Sequence, residues 1–123
     1  MSSTSSSNNP RRGEVWQVSL DPTLGTEIRK TRPTVVISSD AVGRLPIKLV
    51  APITEWNPRF APNIWHVHLE LDATSGLTKA SAVDVLQVRG IDTVRFVRKL
   101  GELSPEKLEE VVLALAAVIE LPA

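Results

Sequence analysis

From Arg12 to Leu103 the chain is cut by glycine and proline into apolar runs too short for helices, and only after Leu103 does the period change. That pattern predicts several short strands followed by one helix. In Glu14–Leu20, Trp16, Val18 and Leu20 share a face at the period of two that strands impose. Val35-Val36-Ile37 is a continuous apolar run suited to a buried central strand. Ile47, Leu49, Ala51 and Ile53 alternate against Lys48, Val50, Pro52 and Thr54. Pro52 has no N–H, so this strand is expected at an edge or bulged there. Trp65, Val67, Leu69 and Leu71 alternate next, Ser81–Val88 is β-rich, and Arg98–Leu103 fits a short last strand. Ser104-Pro105-Glu106 then supplies an N-cap, a proline at the first helical position and an acid in the first turn. Leu108, Val111, Val112, Leu115 and Ile119 form one apolar stripe, which Leu121-Pro122 ends. Five or six strands and an amphipathic C-terminal helix make a small α+β domain, most simply an antiparallel β-barrel with the helix packed on it.

Length and composition narrow the function classes. The 123 residues suffice for one domain, expected over 11–123 behind a Ser-rich, disordered tail at 1–10. So short a chain has a modest core, which association into a dimer would supplement. The absence of cysteine removes disulfides, thiolate zinc sites and a thiol nucleophile. The longest apolar stretch, inside 111–119, is too short to span a bilayer, and the N-terminus has no apolar signal core; a cytoplasmic protein without membrane association is expected. Fourteen basic and fourteen acidic side chains balance, yet residues 102–123 hold one lysine against five glutamates. The body is therefore mildly basic and can carry a local anion site.

Few residues offer chemistry. His66 and His68 lie on the outward face of their strand, as a metal or acid–base pair or as two solvated residues; with no third ligand type near them, the solvated reading is favoured. No acidic pair has two-metal spacing and no glycine-rich phosphate loop exists, so neither metal nor cofactor is expected. The loop 21–33 stands out: Glu27, Arg29, Lys30 and Arg32 fall within six residues between two core strands. Such a segment reads either as a solvated charged hairpin or as a mounted functional loop. Pro33 stiffens the junction that carries Arg32, whose guanidinium offers a fixed fork of donors for phosphate oxygens. The Thr54 hydroxyl can donate to the same anion; alone, it is an ordinary strand threonine.

Five ordered blocks carry a family resemblance. Arg12-Gly13-Glu14-Val15-Trp16, Leu20-Asp21-Pro22-Thr23 with Gly25-Thr26-Glu27, Thr31-Arg32-Pro33-Thr34-Val35-Val36-Ile37-Ser38, Val50-Ala51-Pro52-Ile53-Thr54 and Leu86-Gln87-Val88-Arg89-Gly90-Ile91-Asp92, followed by the final helix, resemble the MazF/PemK toxins over roughly 12–120. The resemblance implies an SH3-like barrel of the CcdB/MazF toxin fold, a homodimer, and metal-independent cleavage of single-stranded RNA at short sequences. It puts the family's essential arginine at Arg32 and its catalytic threonine at Thr54. Thr26 and Glu27 match RNA-contacting loop positions, Glu27 also matching a carboxylate implicated in activity, and Gln87 and Arg89 match positions lining the RNA groove. Loop residues 23–31 match the segment that RNA orders and a cognate antitoxin of the MazE kind displaces. Arg29 and Lys30 are not fixed in the family and are expected to contact phosphates, which carry no sequence information.

The implied chemistry uses the RNA's own 2′-OH as nucleophile, leaving a 2′,3′-cyclic phosphate and a 5′-OH. It needs a proton acceptor, a proton donor and charge stabilisation at the phosphorus. Arg32 suits the last role, since a guanidinium is a poor proton donor at neutral pH, and Glu27 is the nearest carboxylate in sequence. Two other readings compete: a non-catalytic barrel toxin that binds a protein such as DNA gyrase, and a non-catalytic RNA-binding module. The Arg32/Thr54 pair argues against the first. The second wants exposed aromatics, whereas the chain has no tyrosine and places several of its five aromatic rings on core-like faces.

Overall fold

The computed structural model describes residues 9–21, 25–27 and 30–122. Of the expected tail, 1–8 lies outside the described residues, and Pro10 is buried. The described residues form seven strands and one α-helix: β1 (Glu14–Ser19), β2 (Thr31–Val36), β3 (Ile47–Glu55), β4 (His66–Leu69), β5 (Ser81–Asp84), β6 (Arg89–Asp92), β7 (Phe96–Glu102) and α1 (Pro105–Val118). All pairings are antiparallel. The strand order is β4-β5-β3-β2-β1-β7, with β6 on β3 as well, so the sheet is open and β4 and β7 are its ends.

The long third strand organises the sheet. It pairs with β2 along one side, while its other side takes β6 through Val50 and β5 from Ile53 onward. Pro52 sits in the gap between those two partners, where no ladder bond needs its missing N–H. The strand expected at an edge, or bulged at Pro52, is thus a central one; the proline is tolerated because the strand changes neighbours at that point. The clean alternation also divides in two: Ala51 and Ile53 are core, but Ile47 and Leu49 are 46% and 43% exposed.

Two apolar clusters face opposite sides of the sheet. Val15, Val35, Ala51, Ile53, Val67 and Val83 pack with Leu108 and Val111 of α1. Trp16, Val18, Leu20, Val36, Val50, Ile91 and Phe96 form the second. Hence neighbouring residues such as Val35 and Val36 are both buried, and a continuous apolar run is what such a strand requires. Ser104 caps α1 by accepting from the Lys107 N–H, with Pro105 at the first turn. Of the helical stripe, Leu108 and Val111 are buried and Leu115 packs partly buried against the same cluster, whereas Ile119 is largely exposed.

The Gly13-Glu14-Val15-Trp16 block is structural. Gly13 has φ +90°, and a Cβ there would lie 3.3 Å from Leu108. Burial favours the neutral acid at Glu14, but hydrogen bonds from Trp16 Nε1 and the Arg11 N–H, both 2.9 Å, outweigh it together with Lys99 at 3.1 Å; its carboxyl is held below the usual range. This ties β1 to β7 and aims Trp16 edge-on at Phe96.

Candidate active site

Arg32 ends the exposed start of β2, held to β1 opposite Val18. The β2–β3 register pairs Thr34 with Pro52. Continued by two residues, it sets Arg32 opposite Thr54, so the two side chains leave the same face of neighbouring strands. Both line a pocket of about 170 Å³, with Glu55, Thr78, Lys79 and Ser81. Thr54 is further fixed by pairing with Ala82 of β5. Two of the pocket's walls are therefore cationic, partly answered by a Lys79–Glu55 ion pair at 3.6 Å whose side chains are mostly exposed. An exposed pair of this kind contributes little, leaving Lys79 able to meet an incoming anion.

Pro52, on the same face as Thr54, leads into a second and larger pocket of about 600 Å³. Thr26, Glu27, Gln87 and Arg89 line it, with Trp65 and Asp84. Four of the eight residues expected from sequence thus meet in one groove, and two more, Arg32 and Thr54, meet in the smaller pocket. Glu27 lines the larger pocket and not the Arg32–Thr54 one.

The loop that carries Thr26 and Glu27 is closed at its base. Leu20 N–H donates to Lys30 O at 2.9 Å, and Lys30 N–H donates to Asp21 Oδ1 at 3.0 Å. Lys30 adopts φ +67°, an uncommon conformation for a side-chain-bearing residue that the two-bond clasp enforces. Arg95 Nη1 donates to Ser19 O at 3.3 Å and also to Asp21 O, while Arg89 Nη1 reaches Leu20 O at 3.4 Å. Lys30 is exposed at the loop base, outside both pocket linings. Arg29 lies outside the described residues, as do residues 22–24 and 28 of the loop.

The histidines depart from the solvated reading. His66 stacks on Phe60 and His68 on Trp56, each at 3.9 Å between ring centroids, and Trp56 meets Phe60 edge-on. The turn at residues 58–60, capped by Asn57, folds back over β4 and covers its polar face. Strand periodicity cannot foresee a cover supplied by a distant turn. His66 is nearly buried, 3.9 Å from Asp84 and 3.1 Å from Asn63. Among the described residues, no three His, Cys, Asp or Glu side chains come together as a metal site.

Burial lowers the His66 imidazole below its ordinary 6.5, against the opposing pull of Asp84. Its folded state therefore disfavours the proton that the unfolded chain accepts. Stability is expected to hold above pH 6.5 and to decline as pH falls from there to the lowered folded value. Denaturant midpoints between pH 7.5 and 5 check this; a His66→Gln protein should show a shallower decline over that interval, and an identical decline would remove His66 as its source.

Sequence reasoning missed Asp84, Trp65 and Lys79. The signal for Asp84 was present: a lone acid closing an otherwise apolar strand caps the turn that follows, and here it accepts from Leu86 N–H.

Comparison with known proteins gives concordant matches. Residues 11–119 match the family model of the PemK-like, MazF-like toxins of type II toxin–antitoxin systems. Endoribonuclease MazF9 of Mycobacterium tuberculosis is 34% identical over 117 residues, covering 90% of this chain and 97% of that protein. The crystal structure of MazF from Deinococcus radiodurans superposes with a TM-score of 0.76 at 23% identity, covering 91% of this chain and 97% of that one. A mycobacterial endoribonuclease in complex with its cognate antitoxin shares the fold at a TM-score of 0.70 and 18% identity, covering 93% and 98%.

Proposed function

Because the chain belongs to the PemK-like, MazF-like toxins of type II toxin–antitoxin systems, we propose that it is an endoribonuclease that cuts single-stranded RNA at short sequences, arresting translation until an antitoxin binds it. The observation that carries the reading is that Arg32 and Thr54, on the paired strands β2 and β3, line one pocket, while Thr26, Glu27, Gln87 and Arg89 together line a second.

The reaction follows from what those groups can do. The 2′-oxygen attacks the adjacent phosphorus, its proton passes to a base, and the 5′-oxygen leaves with a proton gained in turn. One strand ends in a 2′,3′-cyclic phosphate and the other in a 5′-OH. Charge builds on the non-bridging oxygens, and the Arg32 fork with the Thr54 hydroxyl is suited to receive it. Both sit on paired strands, so little reorganisation is required of them. Glu27 is the proposed proton acceptor, reaching the 2′-OH when bound RNA draws its loop over the Arg32–Thr54 pocket. Thr26, Gln87 and Arg89 position the strand, with Arg29 and Lys30 adding phosphate contacts.

No described helix is long and apolar enough to cross a membrane. We place the enzyme in the cytoplasm as a homodimer, inhibited by a MazE-like antitoxin that lays an acidic segment over the same groove. No metal or cofactor enters the scheme.

The test is cleavage of a long RNA in EDTA by wild-type protein and by Thr54→Ala and Thr54→Ser variants of verified fold. Discrete cuts ending in 2′,3′-cyclic phosphate are expected. Loss of the hydroxyl should slow them by about 10²-fold, and serine should restore most of the rate. Folded wild-type protein that cuts no RNA would move the assignment to a protein-binding toxin.

A further inference from the structure

Three of the chain's five aromatic rings stay out of the core. Trp16 and Phe96 are 4% and 8% exposed, whereas Trp56, Phe60 and Trp65 are only half-buried and gather with the two histidines. Their contacts form an unbroken strip. Trp65 lies 5.7 Å from His66, His66 stacks on Phe60, Phe60 meets Trp56 at 5.9 Å, and Trp56 stacks on His68. One end of the strip, Trp65, lines the larger pocket.

The other end stands beside the Arg32–Thr54 pair. Thr54 pairs with Ala82 and Ala82 with His68, so the three side chains leave one face of the sheet. Ala82 puts only a methyl group between a threonine and a histidine that stand two strand spacings, about 10 Å, apart. Trp56 follows Thr54 by two residues, and its N–H donates to Ala80 O at 3.1 Å, which carries the pairing and the shared face one row further.

We infer that Trp56 and His68 form a stacking platform for the base of a nucleotide next to the cut in single-stranded RNA. The inference rests on the RNA-cleavage reading above. A strand whose phosphate lies against Arg32 and Thr54 brings a flanking base over the same face of the sheet, and part-exposed rings are what that face offers it. Every base has a π-face, so the platform holds the strand without reading its sequence. The stack forms when RNA binds and persists through the reaction, so its loss weakens binding and leaves the rate at saturation nearly unchanged.

The experiment uses full-length protein and an oligonucleotide with one mapped cut site. Binding is read on a version with 2′-deoxyribose at that site, and thermal melts certify each variant. Trp56→Ala should weaken binding by about tenfold to a hundredfold, and Trp56→Phe should restore most of it. For wild type, an abasic nucleotide at one position flanking the cut should cause a similar loss. In Trp56→Ala that abasic position should cost little more, because base and ring are lost as one contact. His68→Ala should show the same coupling and decides the matter if Trp56→Ala fails to fold. Folded Trp56→Ala that binds intact RNA as wild type does overturns the inference, the result expected if the rings dock a protein segment instead. So does a loss that simply adds to that of every abasic position. Wild-type protein that neither cuts nor binds RNA overturns the cleavage reading as well, an outcome distinct from cutting with unaltered affinity.

Discussion

Arg32→Ala is expected to reduce RNA cleavage by about 10²–10³-fold, the usual cost of removing one preorganised charge stabiliser from a reacting centre. The fold should survive. Arg32 is exposed, its strand remains paired to β1 and Pro33 still restrains the backbone, so the stability cost should stay within about 1 kcal/mol. Arg32→Lys keeps the charge but loses the planar fork, so it should recover only part of the rate. Single-turnover cleavage of an oligonucleotide bearing a mapped cut site separates the chemical step from product release, and a thermal melt certifies each protein. A rate for Arg32→Ala within a few-fold of wild type would remove this residue from the reacting centre and leave the pocket without its principal stabiliser.

The second large effect is on stability, at two glycines far from the site. Gly76, in the loop before β5, and Gly101, on β7, let two backbones touch. A Cβ at Gly101 would lie 2.5 Å from the Ser75 carbonyl carbon and 2.6 Å from its oxygen. A Cβ at Gly76 would lie 2.5 Å from the Leu100 carbonyl carbon, at φ +76° besides. Backbone cannot rotate aside as a side-chain tip can. The contact also carries the hydrogen bond from Glu102 N–H to Thr74 O at 2.9 Å, and β7 is an end strand with β1 as its one sheet partner. Gly101→Ala or Gly76→Ala should thus cost more than about 3 kcal/mol, lowering Tm by about 10 °C or more. Gly25→Ala is the control: its φ is +60° but no described residue lies within 4 Å of its Cβ position, so backbone strain should dominate at about 1–2 kcal/mol. Equal losses at Gly25 and Gly101 would refute close approach as the cause.

These cases divide what local pattern reveals from what it hides. The start of the helix was legible to the residue, because Ser104, Pro105 and Glu106 act through bonds within one turn, while its end at Val118 falls short of the expected stop at Leu121-Pro122. Strands β1, β2 and β4 were legible from alternation or a continuous apolar run. The turn at Val85–Gln87 was not separated from the β-rich run Ser81–Val88, and strand β6 was not foreseen, since its pairing with β3 is decided elsewhere in the chain. Pro52 misled for a related reason: an absent donor matters only where a partner strand is present to accept.

The candidate site divides similarly. The blocks around Arg32, Thr54, Gln87 and Arg89 were recognisable because side-chain chemistry and spacing are written in the chain. Their distribution between two pockets, with Glu27 in the larger, was not. It follows from the β2–β3 register and from the clasp of Leu20, Asp21 and Lys30 at the loop base. Sequence by itself determined the class of the fold, the helix and the residue types able to hold a phosphate, since these rest on local propensity, periodicity and chemical identity. Tertiary structure alone decided that both histidines stack beneath a returning turn, that Asp84 grips Gln87, and that Gly76 and Gly101 admit backbone against backbone. Each of those contacts joins segments whose separation along the chain, or whose orientation, is set only when the sheet closes its register.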